Sequence, residues 1–142
     1  VSRPAAKMGD KVVATDIHIV MIPTPTGPVP TPLPHPFLGI ITRGVSQDVL
    51  IEGKPAATVD SIAENTPPHM PMPPGTAFQR PPSNQARIQV GSTGVFINGK
   101  PAARLGDIAL TCNDPVDVPM GTVIAAGTVF IGETGAGAPA AP

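Results

Sequence analysis

The chain has 142 residues, of which 41% are hydrophobic and only 13% charged, with a formal net charge of −1; this suits one compact domain. Its 21 prolines and 15 glycines leave few windows in which a helix could run, because Pro lacks a donor and Gly adds backbone entropy. The near-neutral charge and the lack of Trp and Tyr provide neither a phosphate-neutralising face nor a base-stacking platform, which excludes nucleic acid as a partner.

Strands and loops therefore make up the expected elements. "RPAAKMGD" (Arg3 to Asp10) comes first, followed by a Pro-rich loop from Lys11 to Pro36 that contains the alternating run "TDIHIVMI". "LGIITRG", ending at Gly44, and "VLIEG", starting at Val49, read as a hairpin around "GVSQD", and the second strand leads into "KPAATVD", ending at Asp60. After a second loop, Ser61 to Pro82, "ARIQVG" and "VFING" read as a hairpin around "GSTG", leading into "KPAARLGD", ending at Asp107. A third loop, Ile108 to Pro119, precedes "GTVIAAG" and "TVFIGE", ending at Glu133. Short Gly-containing connectors between β-branched runs are the expected punctuation of antiparallel pairs. Residues 134–142, "TGAGAPAAP", read as a flexible tail beyond a single domain of residues 1–133.

The recurrence is that of a closed object. The first copy has Pro-Ala-Ala but no strand before it, and the last has the strand but no Pro-Ala-Ala directly after it. Together the two chain ends make one complete unit, so three units close a circle, where an open solenoid would need caps. The expected fold is all-β: small, conical and pseudo-three-fold, built of β-hairpins with Pro-rich loops converging at one end. Val49, Leu50, Ile51, Val95, Phe96, Ile97, Val129, Phe130 and Ile131 are then candidates for the opposite, base end. Alternation along a strand turns about half of them into the core.

All three histidines and the single cysteine fall in the predicted loops: His18 and His35 in the first, His69 in the second and Cys112 in the third. A lone cysteine excludes an internal disulfide and leaves a buried thiol, a reactive thiol or a metal ligand. Local motifs such as C-x-x-C or H-E-x-x-H are absent. Three histidines and a thiolate are nonetheless a complete donor set for tetrahedral Zn²⁺, and three-fold symmetry would bring the loops together. "LPHPF" and "TPPHMP" hold His35 and His69 in stiff extended backbone. His18 is the least secure of the four because it lies in an alternating run, and Asp16 is its substitute as an oxygen ligand. Four protein ligands make a closed site, which favours structure over hydrolysis.

The three Pro-Ala-Ala copies, with Pro101-Ala102-Ala103-Arg104 intact, resemble the PAAR-repeat proteins. The resemblance spans about Arg3 to Glu133 and implies a zinc-stabilised, non-enzymatic tip that caps the trimeric β-helical spike (VgrG-like or gp5-like) of a contractile injection system. Such a system is a type VI secretion machine or a phage-tail-like particle. The same resemblance implies one structural Zn²⁺ held by His18, His35, His69 and Cys112. It also implies membrane puncture and effector delivery, with the tip made in the cytoplasm and exported on the apparatus without a signal peptide. The alternative reading is an adaptor that recruits effector cargo, and a metallohydrolase with an open zinc position ranks third. Copy one has Lys7 in place of Arg, and copy two reads Thr58-Val59-Asp60, without Arg or Gly. Polar contacts made by Arg104 and Gly106 are therefore expected to be missing in those copies.

Overall fold

Three Pro-Ala-Ala segments meet where the chain needs the smallest side chains. Ala6 donates to the Ala103 carbonyl (2.9 Å), Ala103 to Ala57 (3.0 Å) and Ala57 back to Ala6 (3.0 Å), a closed ring of backbone hydrogen bonds. All three alanines are fully buried, so any larger side chain there would have to displace the backbone of a neighbouring copy. Proline suits the position two residues earlier, where the carbonyl is the group used: Pro4, Pro55 and Pro101 accept from Leu105, Met8 and Val59 respectively.

The computed structural model describes residues 2–132. The described residues form thirteen strands and no helix, so no helix is long and apolar enough to cross a membrane. The strands are β1 (Ser2–Pro4), β2 (Lys11–Ile22), β3 (Val29–Arg43), β4 (Leu50–Ile51), β5 (Lys54–Pro55), β6 (Ile62–Asn65) and β7 (Ala77–Phe78). After them come β8 (Gln85–Ile88), β9 (Phe96–Ile97), β10 (Lys100–Pro101), β11 (Ile108–Thr111), β12 (Val118–Ile124) and β13 (Phe130–Gly132). The main sheet runs β12-β11-β8-β6-β3-β2-β7, and β12 also pairs with β2, so its first six strands close an antiparallel barrel. Each repeat supplies two of its strands. The interior is narrow and filled largely by Ala63, Ala86, Ala109, Val12, Val123, Ile41, Ile88 and Phe37.

The circle closes between the chain ends as expected. β13 pairs antiparallel with β1, with Phe130 opposite Pro4, as Leu50 is opposite Pro55 and Phe96 opposite Pro101. In the two continuous copies the turn is Glu52-Gly53 or Asn98-Gly99, with positive φ at both residues (52° and 79° in each), the geometry of the tight hairpin turn. Of the nine base candidates, Ile51, Ile97 and Ile131 are buried in a second core cluster with Ala5, Ala56 and Ala102, and Val95 packs against it. Leu50, Phe96 and Phe130 are 60%, 58% and 55% exposed, and Val49 and Val129 also face outward.

Three sequence expectations change. The segments on either side of "GVSQD" and "GSTG" do not pair with each other: β4 and β9 fold back on their own Lys-Pro, while the upstream strands join the barrel. The connectors are corners, held by Ser46 and Ser92, whose hydroxyls accept from Val49 and Val95 N–H (2.9 and 3.0 Å). Secondly, the first "loop" is a long hairpin, with Lys11 to Ile22 paired residue by residue with Val29 to Ile40. Its prolines are compatible with a strand because they fall on one edge. Leu38 turns its N–H and C=O toward Asn65 and Thr66, away from β2, so the same-parity Pro30, Pro32, Pro34 and Pro36 would aim their missing donors at a margin no described strand covers.

Thirdly, the turn after each Pro-Ala-Ala survives the sequence departures. Asp10, Ser61 and Asp107 accept from the N–H of Lys7, Thr58 and Arg104 (3.0, 3.0 and 2.7 Å). Gly9, Asp60 and Gly106 take the positive φ (94°, 78° and 88°), which Asp adopts more readily than most residues. Copy two thus keeps the backbone and replaces an ion pair by a neutral hydroxyl. The expected tail, residues 134–142, lies outside the described residues.

Candidate metal centre

Each barrel strand that follows a Pro-Ala-Ala turn runs away from the alanine ring, and the chemistry gathers at its far part. β2 buries alternate residues, so Val12, Asp16, His18 and Val20 share its inner face. The register places Asp16 opposite His35 of β3, and both are buried. Cys112 lies directly after β11, and the next two residues lace that exit to β2. Asn113 Oδ1 accepts from Ile17 N–H (2.6 Å), Asp114 N–H donates to the Ile17 carbonyl (2.8 Å), and Asp114 Oδ2 accepts from Ile19 N–H (2.9 Å). His69 follows β6 across "TPP" and is seated by Asn84, whose Oδ1 accepts the His69 N–H (2.7 Å) and Asn65 Nδ2 (3.2 Å).

These elements bring one donor atom each from Asp16, His18, His69 and Cys112 within 4.8 Å of one another. Asp16 Oδ2 is 2.9 Å from His69 Nε2 and 3.3 Å from Cys112 Sγ. The three imidazoles pack against each other, with ring centroids 4.9 Å (His18–His69), 5.5 Å (His18–His35) and 5.6 Å (His35–His69) apart. Phe37 and Phe78 wall the group. His35 belongs to the wall by contact, but its nitrogens are engaged elsewhere: Nδ1 meets the Leu33 carbonyl (2.8 Å) and Nε2 meets Met72 N–H (3.1 Å).

Burial governs the electrostatics. It pushes the Cys112 thiol up to about 12, with the Asp16 carboxylate adding to the effect, so without a cation the sulfur stays protonated. It holds His18 below its ordinary value, helped by His69 against the pull of Asp114 and Asp16, and holds His35 below as well. Burial acts against ionised Asp114 too, but the Ile19 N–H and the Arg80 guanidinium outweigh it and keep the carboxyl low. Arg80 Nη2 reaches Asp114 Oδ1 at 2.7 Å, and Asp114 Oδ2 stands 3.4 Å from His18 Nδ1.

The residues fit a metal. Asp16 Oδ1 and both ring nitrogens of His18 are buried without a hydrogen-bond partner, and such groups are rare unless an unplaced water or ion answers them. Thiolate, imidazole and carboxylate together suit Zn²⁺ among the common divalent ions. Sequence reasoning located His18, His69 and Cys112, but treated Asp16 only as a substitute for His18. The period of two in "TDIHIV" is the signal that sets both on one face. Asn84 and Asn113, which seat the cluster, left no comparable signal.

A family model for the PAAR motif matches residues 37–116, which include the second and third Pro-Ala-Ala copies, the corner that precedes each, His69 and Cys112. The chain belongs to the PAAR-motif family. Comparison with curated proteins finds no match. Family membership makes this a structural protein rather than an enzyme, and the PAAR fold described above extends beyond the matched segment to the β1–β13 pair that closes its ring.

Proposed function

We propose that the protein is the metal-stabilised tip of the trimeric β-helical spike of a contractile injection system, carried outward with the spike and any effector cargo through a target membrane. The observation that carries this reading is the base. A single chain can seat on a three-fold partner only if it offers the same surface three times, and Leu50, Phe96 and Phe130 stand exposed at equivalent places in three equivalent strand pairs. Splitting the third pair between the chain ends makes the three equivalent. Apolar side chains set in a polar surround are the usual core of a stable interface.

His18, His35, His69 and Cys112 are the residues proposed to build the metal centre, with Asp16 among them. A bound Zn²⁺ would supply a cross-link of on the order of 10 kcal/mol between segments of all three repeats, comparable with the whole stability of a small domain. The protein's own part is to hold the donors in place: Asn84 and Asn113 fix two loop exits, and the β2–β3 pairing fixes the rest.

The test is reconstitution. The full chain mixed with a trimeric β-helical spike should elute as a complex of one chain per spike trimer, and metal analysis of the purified chain should return one zinc. Failure to bind any such spike would remove the docking half of the proposal, and a metal-free purified protein the other half.

A further inference from the structure

We infer that the cavity between the second and third repeats is a binding site for one guanidinium or ammonium group, the head of an Arg or Lys side chain brought by a partner that approaches a single side of the molecule. The inference stands on the pseudo-symmetry of the chain and is independent of the metal and of docking at the base.

The residue after each Pro-Ala-Ala is Lys7, Thr58 or Arg104, and all three are buried. Lys7 fills its place: Nζ donates to the Ala126 carbonyl (2.7 Å) and lies 3.3 Å from Asp10 Oδ2 and 3.7 Å from Glu52 Oε1. Arg104 fills its own against Asp107 (2.8 Å). Counted back from Val49 and Val129, Ser46 of the second repeat corresponds to Ala126. Asn98, at the β9–β10 turn, corresponds to Glu52 at the β4–β5 turn. Ser46 and Asn98 therefore surround Thr58 as Ala126 and Glu52 surround Lys7. Here, however, a cavity of about 420 Å³ opens, lined by Ser46, Gln47, Asp48, Thr58, Asn98 and Lys100 among others. The Thr58 side chain is too short to cross it, and its hydroxyl turns back to the Val59 carbonyl (3.0 Å).

The lining favours a cation. Ser61 replaces the acid of the other two turns, and a carboxylate reappears at the corner as Asp48, where the other repeats have Gly94 and Thr128. Asp48 Oδ2 accepts from Asn98 Nδ2 (3.0 Å), and no cation among the described residues pairs with it. Lys100, also on the wall, is paired with Asp60, 3.8 Å away. A cationic head entering here meets the Asp48 carboxylate, the Asn98 amide oxygen and the corner of Ser46, acceptors of the kind that hold Lys7 one repeat earlier. A three-fold partner would press the same cation toward Lys7 and Arg104 at the two filled places, a like-charge cost incurred twice. One side chain from an asymmetric partner incurs none.

Amide ¹H–¹⁵N spectra of the full chain, titrated with N-methylguanidinium at constant ionic strength, should show saturable shifts centred on Ser46, Gln47, Asp48, Asn98 and Lys100. N-methylurea, of similar shape but uncharged, should give none. Asp48→Asn should weaken the binding about three- to fivefold, the worth of a partly exposed ion pair. Thr58→Lys, which copies the first repeat, should abolish it by filling the cavity. An acetylated, amidated Gly-Arg-Gly peptide should bind at least as tightly as N-methylguanidinium, because an Arg head carried on a backbone is the proposed ligand. Equal shifts with N-methylurea, undiminished binding to Asp48→Asn, or binding that survives Thr58→Lys would overturn the site. Inorganic phosphate shifting the same signals in place of guanidinium would overturn the sign of its charge. Spermidine binding with the peptide excluded would overturn the side-chain source in favour of a free polyamine. Should Thr58→Lys fail to fold, Asp48→Asn, at an exposed position, and the uncharged control decide without it.

Discussion

Replacing Asp107 by Ala tests how the repeated turn is held. In copy three, Asp107 is 2% exposed and accepts from Arg104 at its backbone N–H (2.7 Å), Nε (3.1 Å) and Nη2 (2.8 Å). Copy two closes the same turn with Ser61, which accepts from Thr58 N–H (3.0 Å) and donates to the Gly44 carbonyl (2.8 Å). Removing one member of a buried ion pair costs about 3–5 kcal/mol. Removing a hydroxyl that makes two neutral hydrogen bonds costs about 1–3 kcal/mol, at 0.5–1.5 for each bond. Asp107→Ala should therefore lower the melting temperature by roughly 10–15 °C, and Ser61→Ala by about half that or less. Calorimetric melts at fixed zinc and salt make the comparison, because bound metal would otherwise shift both midpoints. The double substitution Arg104→Thr with Asp107→Ser, which copies the solution of repeat two, should be milder than Asp107→Ala alone. A loss from Asp107→Ala no larger than that from Ser61→Ala would refute the idea that the copies differ in charge burial rather than in backbone.

The base, the exposed edge and the buried imidazoles give three more predictions. Phe96→Asp and Phe130→Asp should each leave stability within about 0.5 kcal/mol, since these rings are more than half exposed, yet abolish co-elution with the spike; retained binding would mean that the partner sits elsewhere. Pro32→Thr combined with Pro34→Thr restores two donors to the uncovered margin of β3 and should produce more concentration-dependent association in sedimentation velocity than the unaltered chain run alongside; equal behaviour of the two would count against the prolines as guards of that edge. In chelator-treated protein, burial holds His18 and His35 below their ordinary 6.5, so the unfolded chain takes up these protons first. The stability is therefore present above 6.5 and lost as pH falls through the depressed folded values. Melts between about pH 5 and 7.5 should show the midpoint falling with pH, and a flat profile would count against burial of neutral rings.

Recurrence made the architecture legible and periodicity made the centre partly so. Pro-Ala-Ala with half a unit at each end sufficed to infer a closed three-fold ring, because closure is an arithmetic property of the copies. Which strands pair was not legible in the same way. "VLIEGKP" contains its own two-residue turn, Glu52-Gly53, and a tight hairpin forms at less entropic cost than one across the longer "GVSQD" connector. The β2–β3 hairpin was hidden by its prolines, which deny a strand only when their donors are needed; parity, visible in "VPTPLPHP", shows that here they are not. Asp16 was weighed only as a substitute for His18, for a related reason. The alternation of "TDIHIV" was recognised but used to ask where His18 points, whereas residues two apart on a strand point the same way. The seating of His69 by Asn84 depends on a contact 15 positions away, which no local pattern encodes.

Symmetry is kept and broken at opposite ends of the molecule. At the base the copies agree residue for residue in role, with three buried alanines, three prolines giving carbonyls, three buried isoleucines and three exposed large apolar side chains. At the far end they diverge: the first repeat sends Asp16, His18 and His35 on a long hairpin, the second His69 on a Pro-rich loop, and the third Cys112 on a short exit. On the proposed function, both outcomes follow from what each end would meet. A three-fold partner penalises any copy that differs, since a single unmatched apolar group or charge is left buried at the interface. A tetrahedral ion needs four donors, and three equivalent copies cannot supply four from equivalent positions. One repeat must give two, and the repeat with the longest paired strands can carry them on one rigid face. On that reading the extended β2–β3 hairpin answers to coordination number as much as to the shape of a point.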